Sequence, residues 1–147
     1  MQTPLPSKGN QRKKKYRPTV QQVHEAYDLL NTHIFDNQLK HPSINLRNLN
    51  VWGMCIGFTT PQHYSKIKLN YRFFCVQWMI TILAHEMAHQ FQWDIHGPKR
   101  VAAKRIPLLS HGPTFYEYKK KLAEYGIPLK EFYCDKKWFK LQNLMKM

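Results

Sequence analysis

Hydrophobic residues recur along this chain with two different periods, and the changes of period divide it into elements. Val20, Val23, Tyr27, Leu30 and Ile34 return at helical spacing behind Thr19, which has Gln22 three residues on; the pattern predicts a capped amphipathic helix. Between residues 44 and 71 the period falls to two, with Gly53, Gly57 and Pro61 as punctuation. Ile44 and Leu46 alternate with polar residues, residues 54–59 are β-prone, and Ile67, Leu69 and Tyr71 alternate with Lys66, Lys68 and Asn70. About three strands are predicted, the last with a strongly basic outer face. Helical spacing returns in Val76, Met79, Ile80, Leu83, Met87 and Phe91, inside a stretch over residues 74–93 that is apolar nearly all round. Such a helix belongs in the centre of the fold. After an irregular basic connection over residues 94–110, Pro113 suits a helical first turn, and Phe115, Tyr118, Leu122 and Tyr125 predict a third helix stopping at Gly126. The fold class is therefore α+β: an N-terminal helix, a small sheet, a central helix and a following helix.

Composition fits one core of this kind. The 147 residues are 43% hydrophobic and 14% aromatic, enough to fold and of single-domain length. Residues 1–18, with the run Arg12, Lys13, Lys14, Lys15 and Arg17, read as a flexible basic arm, residues 19–126 as the folded domain, and residues 127–147 as a basic, aromatic C-terminal extension. Cys55, Cys75 and Cys134 are odd in number and widely spaced, which argues against a disulfide framework and a cysteine zinc ribbon. With no apolar leader and no run of spanning length, an intracellular monomer without membrane contact is expected. The net charge of +14 changes the picture more, because it makes polyanions, DNA in particular, the natural partners.

The central helix also carries chemistry. His85-Glu86-Met87-Ala88-His89 puts two imidazoles one helical turn apart, able to bind one zinc ion, with Glu86 beside them as a general base toward zinc-bound water. Three ionisable groups on an otherwise apolar helix are costly unless used. A third protein ligand is required. The HExxHxxGxxH spacing fails, since it would place Gly at Gln92 and His at Ile95, and His96 is one residue out of register. Glu117 on the third helix and His111 remain; His111 is the stronger, standing before Gly112-Pro113 in a rigid turn.

The stretch over residues 19–125 resembles the SprT-like metalloprotease domain, the family that includes Spartan. The resemblance rests on Phe35-Asp36-Asn37-Gln38-Leu39, Trp52 followed by Gly57, Ile67-Lys68-Leu69-Asn70, Thr81-Ile82-Leu83-Ala84 leading into the HExxH pentapeptide, and Ser110-His111-Gly112-Pro113-Thr114-Phe115. It implies a zincin-like fold and His111 as third ligand to a single Zn2+. Ser110 stands where the family usually has Gly, and the four-cysteine ribbon of many members is missing. It further implies an endopeptidase that cleaves proteins bound or crosslinked to DNA. Contacts to nucleic acid would then fall to Lys99, Arg100, Lys104, Arg105, Lys119, Lys120, Lys136, Lys137 and Trp138. A peptide substrate could add as a strand beside Lys66 and Lys68. The alternative is a nucleic-acid-binding protein with a structural zinc and no peptidase activity.

Overall fold

The computed structural model describes residues 2–4, 16–58, 64–97, 111–131 and 133. The first helix, α1 (Val20–His33), begins as the sequence predicts: the Thr19 hydroxyl accepts from the Gln22 amide while Gln22 Oε1 accepts from the Thr19 amide. Its buried stripe is Val23, Tyr27, Leu30 and Asn31. Asn31 is polar but satisfied, because its amide group bonds both the N–H and the C=O of Leu39 and so fixes the chain's return after the left-handed pair Asp36 and Asn37.

Four strands follow from the alternating region and from the N-terminus: β1 (Gln2–Pro4), β2 (Ser43–Arg47), β3 (Val51–Phe58) and β4 (Tyr64–Asn70). They form one mixed sheet in the order β1-β3-β4-β2, with β3 antiparallel to both β1 and β4, and β2 parallel to β4. Two expectations change here. Strand β4 is an interior strand, paired on both sides, so Lys66 and Lys68 flank no free edge and cannot receive an added strand. Within the segment read as an arm, Gln2–Pro4 forms β1 and Tyr16 bridges Phe73, whereas the basic run over residues 12–15 lies outside the described residues.

Ser65, Ile67 and Leu69 of β4 turn inward, toward the helix α2 (Val76–Phe91). That helix is buried along almost its whole length, as its all-round apolarity predicts. It comes close to the sheet because two glycines leave room. A Cβ at Gly53 would lie 3.1 Å from Ile82 Cγ2 and 3.2 Å from Glu86 Cγ, and one at Gly57 would lie 2.4 Å from the Trp93 ring. Beyond Phe91 the chain continues as a π-helical stretch, Gln92–His96, and stops at Gly97 with φ 79°. The third helix starts later than predicted. Residues 113–118 make turns, with the Phe115 amide bonded to the Gly112 carbonyl and the Lys119 amide to the Tyr116 carbonyl, and α3 covers only Lys119–Glu124. Aromatic and β-branched side chains at Thr114, Phe115 and Tyr116 favour helix weakly, and Phe115 is held in the core instead. The predicted stop holds: Gly126 has φ 75°, and the Ile127 and Gly126 amides bond the Leu122 and Ala123 carbonyls. Ile127 and Leu129 then bury themselves in the domain. Among the described residues no helix is long and apolar enough to cross a membrane.

Candidate metal centre

The middle of α2 places His85, Glu86 and His89 in the interior, each at most 1% exposed. The turn at residues 111–118 brings His111 to the same place. One ring nitrogen from each of His85, His89 and His111 lies within 4.8 Å of the others. Phe115 floors the cluster, its ring centroid 4.9, 4.5 and 4.7 Å from those of His85, His89 and His111.

Hydrogen bonds on the far side of each ring fix which nitrogen faces inward. Gln92 Nε2 donates to Thr114 Oγ1, which leaves Gln92 Oε1 to accept from His89 Nδ1 at 2.8 Å. The Tyr133 hydroxyl accepts from the Lys130 amide and donates to the Pro128 carbonyl, so toward His85 Nδ1, at 3.2 Å, it acts as a second-time acceptor. Both rings therefore carry their proton on Nδ1 and turn the lone pair of Nε2 into the cluster. His111 Nδ1 faces Glu131 Oε1 at 3.6 Å, which favours the same tautomer.

The consequence is an arrangement suited to a cation. His85 Nε2 and His111 Nε2 stand 3.4 Å apart, and the buried His89 Nε2 has no hydrogen-bond partner among the described residues. Lone pairs facing one another in a dry interior repel unless a positive ion lies between them. Two nitrogens about 2.0–2.1 Å from one tetrahedral ion sit about 3.4 Å apart, which is the spacing of the His85–His111 pair. The electrostatics agree. Burial, then neighbouring His111, pushes the His85 pKa down to about 3; burial, then His85, holds His89 well below the ordinary value; and burial lowers His111 as well, against the pull of Glu131. All three imidazoles are neutral at pH 7, the form that binds metal.

Glu86 lies against the sheet at Gly53, close enough to Cys55 and Tyr133 to help burial raise both of their pKa values. Of the other ligand candidates, His96 and Glu117 are spent on each other, with His96 Nε2 3.0 Å from Glu117 Oε1. Lys119 and Lys120 are exposed on α3, Lys119 with its ammonium 5.3 Å above the Tyr116 ring. Lys99, Arg100, Lys104, Arg105, Lys136, Lys137 and Trp138 lie outside the described residues. Sequence reasoning missed the residues behind the histidines. Gln92 sits one turn after His89, where an i, i+3 contact is readable, but Tyr133 and Glu131 come from a tail with no period to place them.

The pattern of the SprT-like family matches residues 23–132, a span that takes in α1 from Val23 onward, β2 to β4, the three histidines, Glu86 and Glu131. No curated protein matches the chain. Since the match covers well over half of its length, the chain belongs to the SprT-like family of metallopeptidase-like domains.

Proposed function

We propose that this protein is a zinc-dependent endopeptidase acting on proteins bound or crosslinked to DNA. The observation that carries the reading is the convergence of three neutral imidazole nitrogens, from His85, His89 and His111, next to a buried carboxylate on the same helix. Three imidazole donors within reach of one ion suit zinc, and a site with three protein ligands, the number found among the described residues, leaves a position open for water as a catalytic zinc requires. When bound, such a metal supplies Lewis-acid chemistry, acidifying water and polarising a substrate carbonyl.

The chain's own residues do the rest. Glu86 accepts the proton of the attacking water at its carboxylate and returns it to the leaving amine, as its place between the two helical ligands allows. Gln92 and Tyr133 hold the rings of His89 and His85 in the metal-binding tautomer. Phe115 keeps bulk water from one side of the cluster. The DNA part of the reading rests on the +14 charge and on exposed Lys119 and Lys120.

The test compares wild type with Glu86→Gln on a basic protein substrate, with and without DNA. Zinc should be retained by both, cleavage seen only with wild type, and DNA should accelerate it in a salt-dependent way. If both proteins bind zinc and DNA and neither cleaves, the chain is a nucleic-acid-binding protein with a structural zinc. Cleavage indifferent to DNA would leave a peptidase whose basic surface serves another purpose.

A further inference from the structure

The sheet has an edge beside the histidines, and a piece of the chain's own N-terminus lies on it. Successive residues of a helix are turned by about 100°, which assigns the sides of α2. Gln90 points toward α1, where it accepts from the Tyr27 hydroxyl at 2.7 Å. Glu86 points toward β3, at Gly53. His85 and His89 therefore occupy the flank turned away from α1. Helix α1 packs on β2, at one end of the sheet, so the histidine flank looks toward the other end, where β1 lies on β3.

There β1 pairs antiparallel with β3: Gln2 with Met54, Thr3 with Gly53 and Pro4 with Val51. Gly53, opposite Thr3, is the same residue whose inner side meets Glu86. The pairing is slight. It spans three residues, its register breaks between Thr3 and Pro4, and Pro4 has no N–H to give. Strand β3 itself runs eight residues, so among the described residues β1 covers only the Val51 to Met54 half of that edge. A short strand of this kind is easily displaced by a longer one with the same backbone pattern.

We propose that Gln2–Pro4 is an autoinhibitory strand, an intramolecular occupant of the outer edge of β3 that must leave before an extended polypeptide can pair there. The assignment rests on the peptidase reading for its purpose, but it concerns peptide binding and can be measured without turnover. Backbone pairing supplies the affinity, which suits an unfolded segment of a substrate protein rather than a folded surface. Self-occupancy lowers the apparent affinity by the fraction of molecules in which the edge is free.

The probe is a fluorescein-labelled peptide with the sequence of residues 1–8, added to the zinc-loaded full chain. Two variants bracket the wild type. One lacks residues 2–8. The other, Gln2→Cys with Met54→Cys, can be closed by oxidation across the β1–β3 pair and reopened by reductant; Met54 alternates with the inward-facing Gly53 and Cys55, so the bond would sit away from the histidines. We expect fluorescence anisotropy to report at least tenfold tighter binding by the deletion variant, no binding by the oxidised pair, and recovery to wild-type affinity on reduction. Equal affinity of the deletion variant and wild type, or an oxidised pair that binds as well as the reduced one, overturns the proposal. Cleavage of casein is read in parallel. If peptide binding follows the expected order and no variant cleaves, the edge stands and the peptidase reading falls.

Discussion

The two flanks of α2 both bury polar groups and treat them in opposite ways. On the flank facing α1, Gln90 accepts from Tyr27 at 2.7 Å and donates to the Lys40 carbonyl and to Asp94, so its amide is used up within the protein. On the other flank, His85 and His89 bond the protein through their outer nitrogens, His111 faces Glu131 with its own, and the inner nitrogens of all three converge. The first flank is a structural network, complete as it stands. The second is arranged so that an ion could complete it. Burial alone does not distinguish a site from a core, since Gln90 and His89 are equally buried; the direction of the unused lone pairs does.

That contrast predicts which changes break function and which break folding. The largest effect is expected for Glu86→Gln, which should keep zinc and lose about a hundredfold to ten-thousandfold in cleavage rate, read with a casein substrate at saturating zinc. Next, Tyr133→Phe removes the acceptor behind His85 and should weaken zinc binding about tenfold to a hundredfold in chelator competition, beyond the stability lost with its bonds to Lys130 and Pro128, which thermal unfolding of the metal-free protein measures separately. Its counterpart on the other flank is Tyr27→Phe. That change leaves Gln90 Oε1 without its donor and should cost about 1–2 kcal/mol in denaturant unfolding with zinc affinity untouched. A Tyr27→Phe protein that loses zinc affinity, or a Tyr133→Phe protein that loses only stability, would dissolve the distinction between the flanks.

As the pH falls below neutrality, acid should act first on the histidine flank. An unfolded histidine titrates near 6.5, whereas His85 in the fold is held at about 3 by burial and by His111. Its folded pKa is depressed, so below about pH 6.5 the unfolded chain takes up a proton that the fold refuses. Stability of the metal-free protein should be level above that pH and decline as pH falls through the window from 6.5 to 3. Thermal unfolding between pH 7.5 and 5 reads the slope, and zinc should be released over the same range as protons compete for the ring nitrogens.

Much of this was legible in the chain because local patterns agreed with tertiary demands. Thr19 and Gln22 form their capping box, Gly126 ends the last helix, and the HExxH pentapeptide lies on the buried helix its neighbours predicted. The pairing of strands was not legible. Period two says which side chains face the core but not which strand lies inside, so β4 could be read as an outer strand when it is flanked by β2 and β3. Gln2–Pro4, too short for any period, gave no warning of β1. The same limit hid Tyr133 and Glu131, whose part in the site depends on where a turn after Gly126 brings them. The third histidine was readable only through the turn chemistry around Gly112-Pro113 and the family resemblance, since no helical spacing links residue 111 to residue 85.

The most direct measurement is zinc content per chain for wild type, His111→Ala and His96→Ala after purification in chelator-free buffer. One zinc ion per chain is expected in wild type and in His96→Ala, since the His96 imidazole is paired with Glu117, and none held stoichiometrically by His111→Ala. A full complement of zinc in His111→Ala, or its loss in His96→Ala, would contradict that ligand set.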